Sequence, residues 1–213
     1  MSSDVLVTTP AQRQTEPHAE AVSRNRRQQA TFRKVLAAAI ATLREKSYAD
    51  LTVRLVAARA KVAPATAYTY FSSKNHLIAE VYLDLVRQVP CVTDVNVPMP
   101  IRVTSSLRHL ALVVADEPEI GAACTAALLD GGADPAVRAV RDRIGAEIHR
   151  RITSAIGPGA DPGTVFALEM AFFGALVQAG SGTFTYHEIA DRLGYVVGLI
   201  LAGANEPSTG GSE

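Results

Sequence analysis

The sequence predicts an all-α protein, and three observations carry that prediction. Apolar residues recur at three- and four-residue spacing, no stretch sustains the period of two that marks a half-buried strand, and Pro and Gly cluster at intervals suited to helices. With 213 residues and 48% hydrophobic content, the chain can bury a small core and a larger one. Composition divides it accordingly. A polar tail over residues 1–23 is rich in Ser, Thr, Gln and Pro and is expected to be disordered. A small helical domain over 24–88, a larger one over 89–204 and a second disordered tail over 205–213 follow.

The first helix is expected over Arg27 to Lys46, with Phe32, Val35, Leu36, Ala39, Ile40 and Leu43 on one face. Two short patterns then meet at a tight corner in LTVRLVAARAKVAPATAYTYFSSK, Leu51 to Lys74. Leu51, Val53, Val56, Ala57 and Ala60 form a helical stripe behind Thr52, whose hydroxyl can cap a first turn, while Arg54 and Arg59 lie on the outer face. After the corner at Ala60 to Ala63, Pro64 fits a first helical position: its fixed φ suits that position and its missing N–H costs nothing there. This second helix runs to about Phe71, because Ser72 and Ser73 offer a stop and a new cap before a longer pattern over 74–89.

A helix this short is unstable alone and must be held by packing. Ala67 and Phe71, four apart, would supply it, leaving Ala65, Thr66, Thr69 and Tyr70 outward with Tyr68 at the edge. A helix-turn-helix divides its residues in this way, although an ordinary helical hairpin whose tyrosines cover core fits the bare pattern too. Two tyrosines and two threonines, with no carboxylate between Lys61 and Asn75, suit a phosphate-facing surface.

These residues resemble the TetR-type transcriptional repressors. The match lies in Leu51-Thr52, Ala57, Ala60, Val62, Thr66, Tyr68, Tyr70-Phe71, Lys74 and Leu77, all at the family's spacing, and extends over roughly residues 26–88. Three departures stand out: Lys61 and Ala63 replace the usual turn glycine and small polar cap, and Ala67 replaces a larger aliphatic residue. A positive φ at Lys61 would cost about 1 kcal/mol. By correspondence with the family motif, Thr52, Tyr68, Tyr70 and Lys74 look like phosphate contacts, which fix position without reading sequence. Pro64, Ala65, Thr66 and Thr69 at the start of the recognition helix can pack on thymine methyls or make single hydrogen bonds. Arg54 is the residue able to grip guanine with a fork.

Charge is divided between the two halves. Residues 1–90 hold 13 Lys and Arg against 7 Asp and Glu, a balance of +6, whereas residues 91–213 hold 8 against 14, a balance of −6. The positive half is the one with the helix-turn-helix, as a polyanion-binding end should be. Arg24, Asn25, Arg26 and Arg27 form a small basic cluster at the start of the first helix, either a solvated helix entrance or an arm reaching along DNA. No unbroken apolar run approaches a membrane span, the longest candidate being Leu193 to Ala204, so a cytoplasmic protein without membrane contact is expected. Cys91 and Cys124 lack metal-ligand spacing, and the five histidines are scattered. With no phosphate loop, nucleophile elbow or zinc-protease motif, neither catalysis nor a metal or cofactor is expected. A helical protein-interaction module without sequence-specific DNA binding is the alternative to a regulator.

In the second half, breaks at Glu117-Pro118, Gly131-Gly132, Gly157-Pro158-Gly159 and Gly180 to Gly182 leave helices near 100–116, 118–130, 134–156, 161–180 and 185–203. Asp134-Pro135 and Asp161-Pro162 each place a cap before a first-position proline. The last two helices are apolar on more than one stripe: Phe166, Met170, Phe173 and Val177 in one, Leu193, Val196, Val197 and Ile200 in the other. Such helices are either central to the fold or form a subunit interface. The resemblance implies the second, a homodimer joined by the last two helices of each copy. Two recognition helices related by a two-fold axis would read an inverted repeat in double-stranded DNA. The resemblance also implies an inducer site in this domain. Leu107, Leu110, Val114, Leu128, Phe172 and Leu176 are the apolar candidates to line it, with Cys124 and His149 as polar groups; Ile148, Ile152, His109 and Gln178 lie nearby. The ligand would be a small, mostly apolar inducer. It would oppose DNA binding by favouring a different separation of the two reading heads, with helix 74–89 as the lever.

Overall fold

Thr52, Ser73, Asp134 and Asp161 each turn a side-chain oxygen onto a backbone N–H of the helical turn that follows, at 2.7–3.1 Å, and these caps set four of the helix starts. Thr185 and Glu188 set a fifth as a reciprocal pair, each side chain accepting from the other's backbone N–H. In the computed structural model, residues 16–204 apart from residue 93 are described, with side chains from residue 25 onward except residue 131. The helices are α1 (Glu16–Leu43), α2 (Val53–Arg59), α3 (Pro64–Tyr70), α4 (Lys74–Gln88), α5 (Met99–Ala111), α6 (Pro118–Asp130), α7 (Pro135–Ile156), α8 (Pro162–Gly180) and α9 (Tyr186–Ala204), and no strand occurs among the described residues.

Helices α1 and α5 differ from expectation, and α1 also ends at Leu43 rather than Lys46. Helix α1 begins at Glu16, so residues 16–23 are helical where a disordered tail was expected. Alanines and glutamates in that stretch are good helix formers, and Pro17 falls in the first turn, where its missing N–H is harmless. Residues 1–15 and 205–213 lie outside the described residues. Helix α5 ends at Ala111 rather than near 116, tightening into a 3-10 turn at Leu112–Val114, where two β-branched residues in succession disfavour the α form.

Helices α1, α2 and α3 pack around Leu36, Leu51, Val56, Ala67 and Phe71, all fully buried, and the first half of α4 closes this core with Leu77. Fully burying a side chain such as Phe71 contributes about 2 to 3 kcal/mol. Beyond it, α4 runs into the larger bundle, where it packs on α6 and α7, while α5 packs on α7 and α9, and α8 on α6 and α9. The buried residues form one continuous cluster from Val35 to Leu201, with α4 passing from one part to the other. Helix α8, 19 residues long, reaches a mean hydropathy of 1.4 over 18 of them, long and apolar enough by composition alone to cross a membrane. Thr164, Glu169 and Gln178 interrupt its apolar run, which is why the run-length reading passed it over.

Candidate functional site

The corner between α2 and α3 is built as its residues dictate. Thr52 accepts from the backbone N–H of Leu55 at 3.1 Å, Lys61 takes φ 54° in the turn, and Ala63 precedes Pro64 without a side-chain cap. Pro64, Ala65, Thr66, Tyr68 and Thr69 all face outward. Tyr68 is half-exposed and Tyr70 is the partly buried one, the reverse of the expected arrangement. The cause is Phe32 of α1. Its ring lies 5.0 Å from Phe71 and 6.1 Å from Tyr70, edge-on, and so draws Tyr70 toward the core.

Three basic side chains border this surface in different states. Arg59 is held by both carboxylate oxygens of Glu45, at 2.5 and 2.6 Å. Lys74 donates to the Tyr48 carbonyl at 3.0 Å and sits 4.2 Å over the Tyr48 ring, so its ammonium is directed at the α1–α2 loop rather than left free for a phosphate. Arg54 is exposed and has no hydrogen-bond or ion-pair partner among the described residues. Its fork is therefore available.

Helix α4 is tied to α7 along its whole length. Ser73, its N-cap, donates to Asp134 at 2.8 Å, and Asp134 in turn caps α7. That hydrogen bond holds the Asp134 carboxyl below its ordinary value. Midway, buried Glu80 pairs with Arg143 and lies 3.5 Å from His76 Nε2. His76 Nδ1 accepts from the Ser72 backbone N–H at 3.1 Å, which leaves the ring proton on Nε2, facing Glu80. Burial alone would raise Glu80, but the bonds from His76 and Arg143 outweigh it and hold the carboxyl below the usual range. At the far end, buried Arg151 donates to the Val89 carbonyl at 2.7 Å and to the Glu147 carboxylate at 2.8 Å, covering carbonyls that α4 leaves open.

A cavity of about 150 Å³ lies beside α4, bounded by α6, α7, α8 and the start of α9. Of the residues expected to line a ligand site, Cys124, Leu128 and Leu176 border this cavity. Leu107, Leu110, Val114 and Phe172 do not: they are buried in closed core, since α5 turns its apolar stripe onto α7 and α9. His149 is also misplaced, lying toward solvent with Nδ1 2.8 Å from Glu169, and His109 and Gln178 are exposed. Tyr82, Thr125, Arg141, Ile144, Phe173 and Tyr186 complete much of the wall and were not anticipated. One signal for Tyr186 was in the chain: Gly121 has no Cβ, and a Cβ there would overlap the Tyr186 ring. Burial pushes the Cys124 thiol up to about 12, so it stays neutral.

The outer faces of α8 and α9 expose Phe166, Met170, Val177, Tyr195 and Leu199. Phe173, Val196 and Ile200 are half-buried beside them. Leu193 and Val197 are instead buried within the chain, on the side of α9 where a Cβ added at Gly194 would stand 3.4 Å from Thr104 on α5. Gly174 and Gly198 have open space where a Cβ would stand.

Residues 35–81, from α1 through the helix-turn-helix into α4, match the family model described as bacterial regulatory proteins, tetR family. Among solved structures, the fold is similar to a TetR transcriptional regulator from Rhodococcus sp. RHA1 at 22% identity, covering 84% of this chain and 98% of that one with a TM-score of 0.69. It is also similar to FadR from Thermus thermophilus, a TetR family transcriptional repressor in complex with lauroyl-CoA, at 17% identity, 85% and 99% coverage and a TM-score of 0.60. FadR from Bacillus subtilis in complex with stearoyl-CoA matches at 14% identity, 81% and 98% coverage and a TM-score of 0.54. Residues 35–81 are thus similar to the helix-turn-helix segment of the tetR family of bacterial regulatory proteins, and the all-helical scaffold around them has the fold of the solved regulators.

Proposed function

We propose that this regulator is a repressor that binds a palindromic operator as a homodimer and leaves it when a small, mostly apolar ligand occupies the cavity beside α4. Residues 24–88 serve as the DNA-binding domain and 89–204 as the ligand-binding and dimerisation domain. The observation that carries this reading is the course of α4, which places Leu77 in the buried core at the helix-turn-helix end, where α4 packs on α1, and Tyr82 in the cavity wall. A ligand that prefers one position of α4 therefore biases the position of the reading head, and DNA biases the cavity in return. Thr52, Tyr68 and Tyr70 bracket α3 as phosphate contacts, with Lys74 positioning the N-terminus of α4, and Pro64, Ala65, Thr66 and Thr69 meet the groove. Arg54 reads a guanine in each half-site.

The FadR proteins with this fold hold lauroyl-CoA and stearoyl-CoA. A cavity of about 150 Å³ suits something nearer the size of benzene, so the ligand here is a smaller molecule. Selection from random duplexes at about 150 mM salt tests the DNA side of the proposal. Enrichment of an inverted repeat is expected. Uniform retention of all sequences would favour the interaction-module reading instead.

A further inference from the structure

Among the described residues, two buried side-chain polar atoms have no hydrogen-bond partner, the Tyr82 hydroxyl and Thr153 Oγ1, and only Tyr82 borders the cavity. Its polar neighbours in the wall are already engaged. Thr125 donates to the Gly121 carbonyl at 3.1 Å, Tyr186 shares a hydrogen bond with Thr125, and Arg141 at the rim donates to the Leu128 carbonyl. The groups that bear electrostatically on the Tyr82 hydroxyl are Cys124 and Tyr186, both in the same wall and both kept neutral by burial. A phenolic O–H left without an acceptor in such surroundings is costly, and whatever supplies an acceptor recovers that cost. Evolution has a ready alternative in phenylalanine, which has the same shape without the orphaned group.

Resting on the ligand-release reading above, we propose that the ligand is a neutral one-ring or short-chain carbonyl compound whose oxygen accepts from the Tyr82 hydroxyl while its apolar body lies against Ile144, Leu176 and Phe173. Size sets the upper bound, since a cavity of about 150 Å³ takes a benzene-sized body. The charged group in the wall, Arg141, is turned onto the Leu128 carbonyl, and the rest of the lining is neutral, which favours an uncharged molecule. The same contact supplies the coupling. The hydroxyl is sealed from solvent, so a ligand oxygen in the cavity reaches it only if the Tyr82 ring moves, and Tyr82 is fixed to the helix that carries the reading head. The hydrogen bond therefore forms in one position of α4 and not in the other, which is the differential affinity a ligand needs in order to shift an equilibrium.

The test uses the full chain and two probes of matched shape, acetophenone and isopropylbenzene, with lauroyl-CoA as a third. Isothermal titration should give acetophenone about tenfold tighter binding than isopropylbenzene, the worth of one recovered hydrogen bond. In Tyr82→Phe that preference should vanish while the thermal midpoint stays level or rises. Equal affinities, no binding of acetophenone, or a preference that survives Tyr82→Phe would each overturn the proposal. If the variant fails to fold, the two probes on the native chain decide. Acetophenone bound through Tyr82 with no effect on retention of the selected duplex would leave this site standing and sink the release reading. Release by lauroyl-CoA without acetophenone binding would do the reverse.

Discussion

Arg54, at the second position of α2, is exposed and unpaired among the described residues, whereas Arg59 on the same short helix is spent on Glu45. That difference was not legible in the sequence, which placed both on the outer face. It appears only once the turn after α1 brings Glu45 alongside. A bidentate grip on guanine is worth about 1 to 3 kcal/mol per contacted pair, so Arg54→Ala should weaken operator binding by that amount and relax preference at one base of each half-site. Equal weakening on every sequence would make it a phosphate contact. Lys61 is the opposite case, fully legible from the turn it occupies. Its φ of 54° is one that glycine adopts freely, so Lys61→Gly should raise the stability by about 1 kcal/mol in urea denaturation. A loss would place the lysine side chain in some stabilising contact. Tyr68 and Tyr70 were assigned to the wrong sides because helical phase alone ignores an aromatic partner on another helix, and Phe32 is that partner.

At the scale of elements, caps and prolines made most helix starts readable: Thr52, Ser73, Asp134 and Asp161 all do what their positions in the chain suggest. The cavity wall was much less readable. A helix stripe announces that it will be buried, but whether it meets a filled core or a gap depends on the volumes of residues on other helices. Thus α5 contributes closed core with Leu107 and Leu110, while α4, read as a lever, supplies Tyr82 to the cavity. The clamp between α4 and α7 makes a pH prediction. Glu80 has a folded-state pKa held below its ordinary value, so its stabilisation is complete above the unfolded value near 4.5 and is lost as pH falls through the folded one. Glu80→Gln should cost about 1 to 2 kcal/mol at pH 7, and the gap from the native chain should narrow between pH 5 and 3. A gap of constant size across that range would show that the Glu80 charge contributes nothing to the clamp.

For the whole molecule, the unresolved question at the sequence level was which of two apolar stripes on α9 belonged to the chain's own core. Periodicity cannot answer it, because both stripes must be buried somewhere. The packing of α5 answers it by taking Leu193, Val197 and the Gly194 flank, which leaves Tyr195 and Leu199 on α9 and Phe166, Met170 and Val177 on α8 facing outward. In the proposed homodimer a second copy would lie across this exposed apolar face, with Gly174 and Gly198 allowing close approach. Burying one carboxylate in such an interface without a partner is costly enough to disrupt it. Phe166→Glu should therefore halve the mass measured by light scattering at micromolar concentration while leaving the helical content unchanged, because Phe166 is mostly exposed in its own chain. Operator binding should fall far more than the mass does. A dimer gains the second half-site at the high effective concentration set by the rigid bundle, and a monomer must meet each half-site from free solution. A Phe166→Glu protein that stays dimeric and keeps native operator affinity would move the two-fold axis off the α8–α9 face and with it the predicted spacing of the inverted repeat.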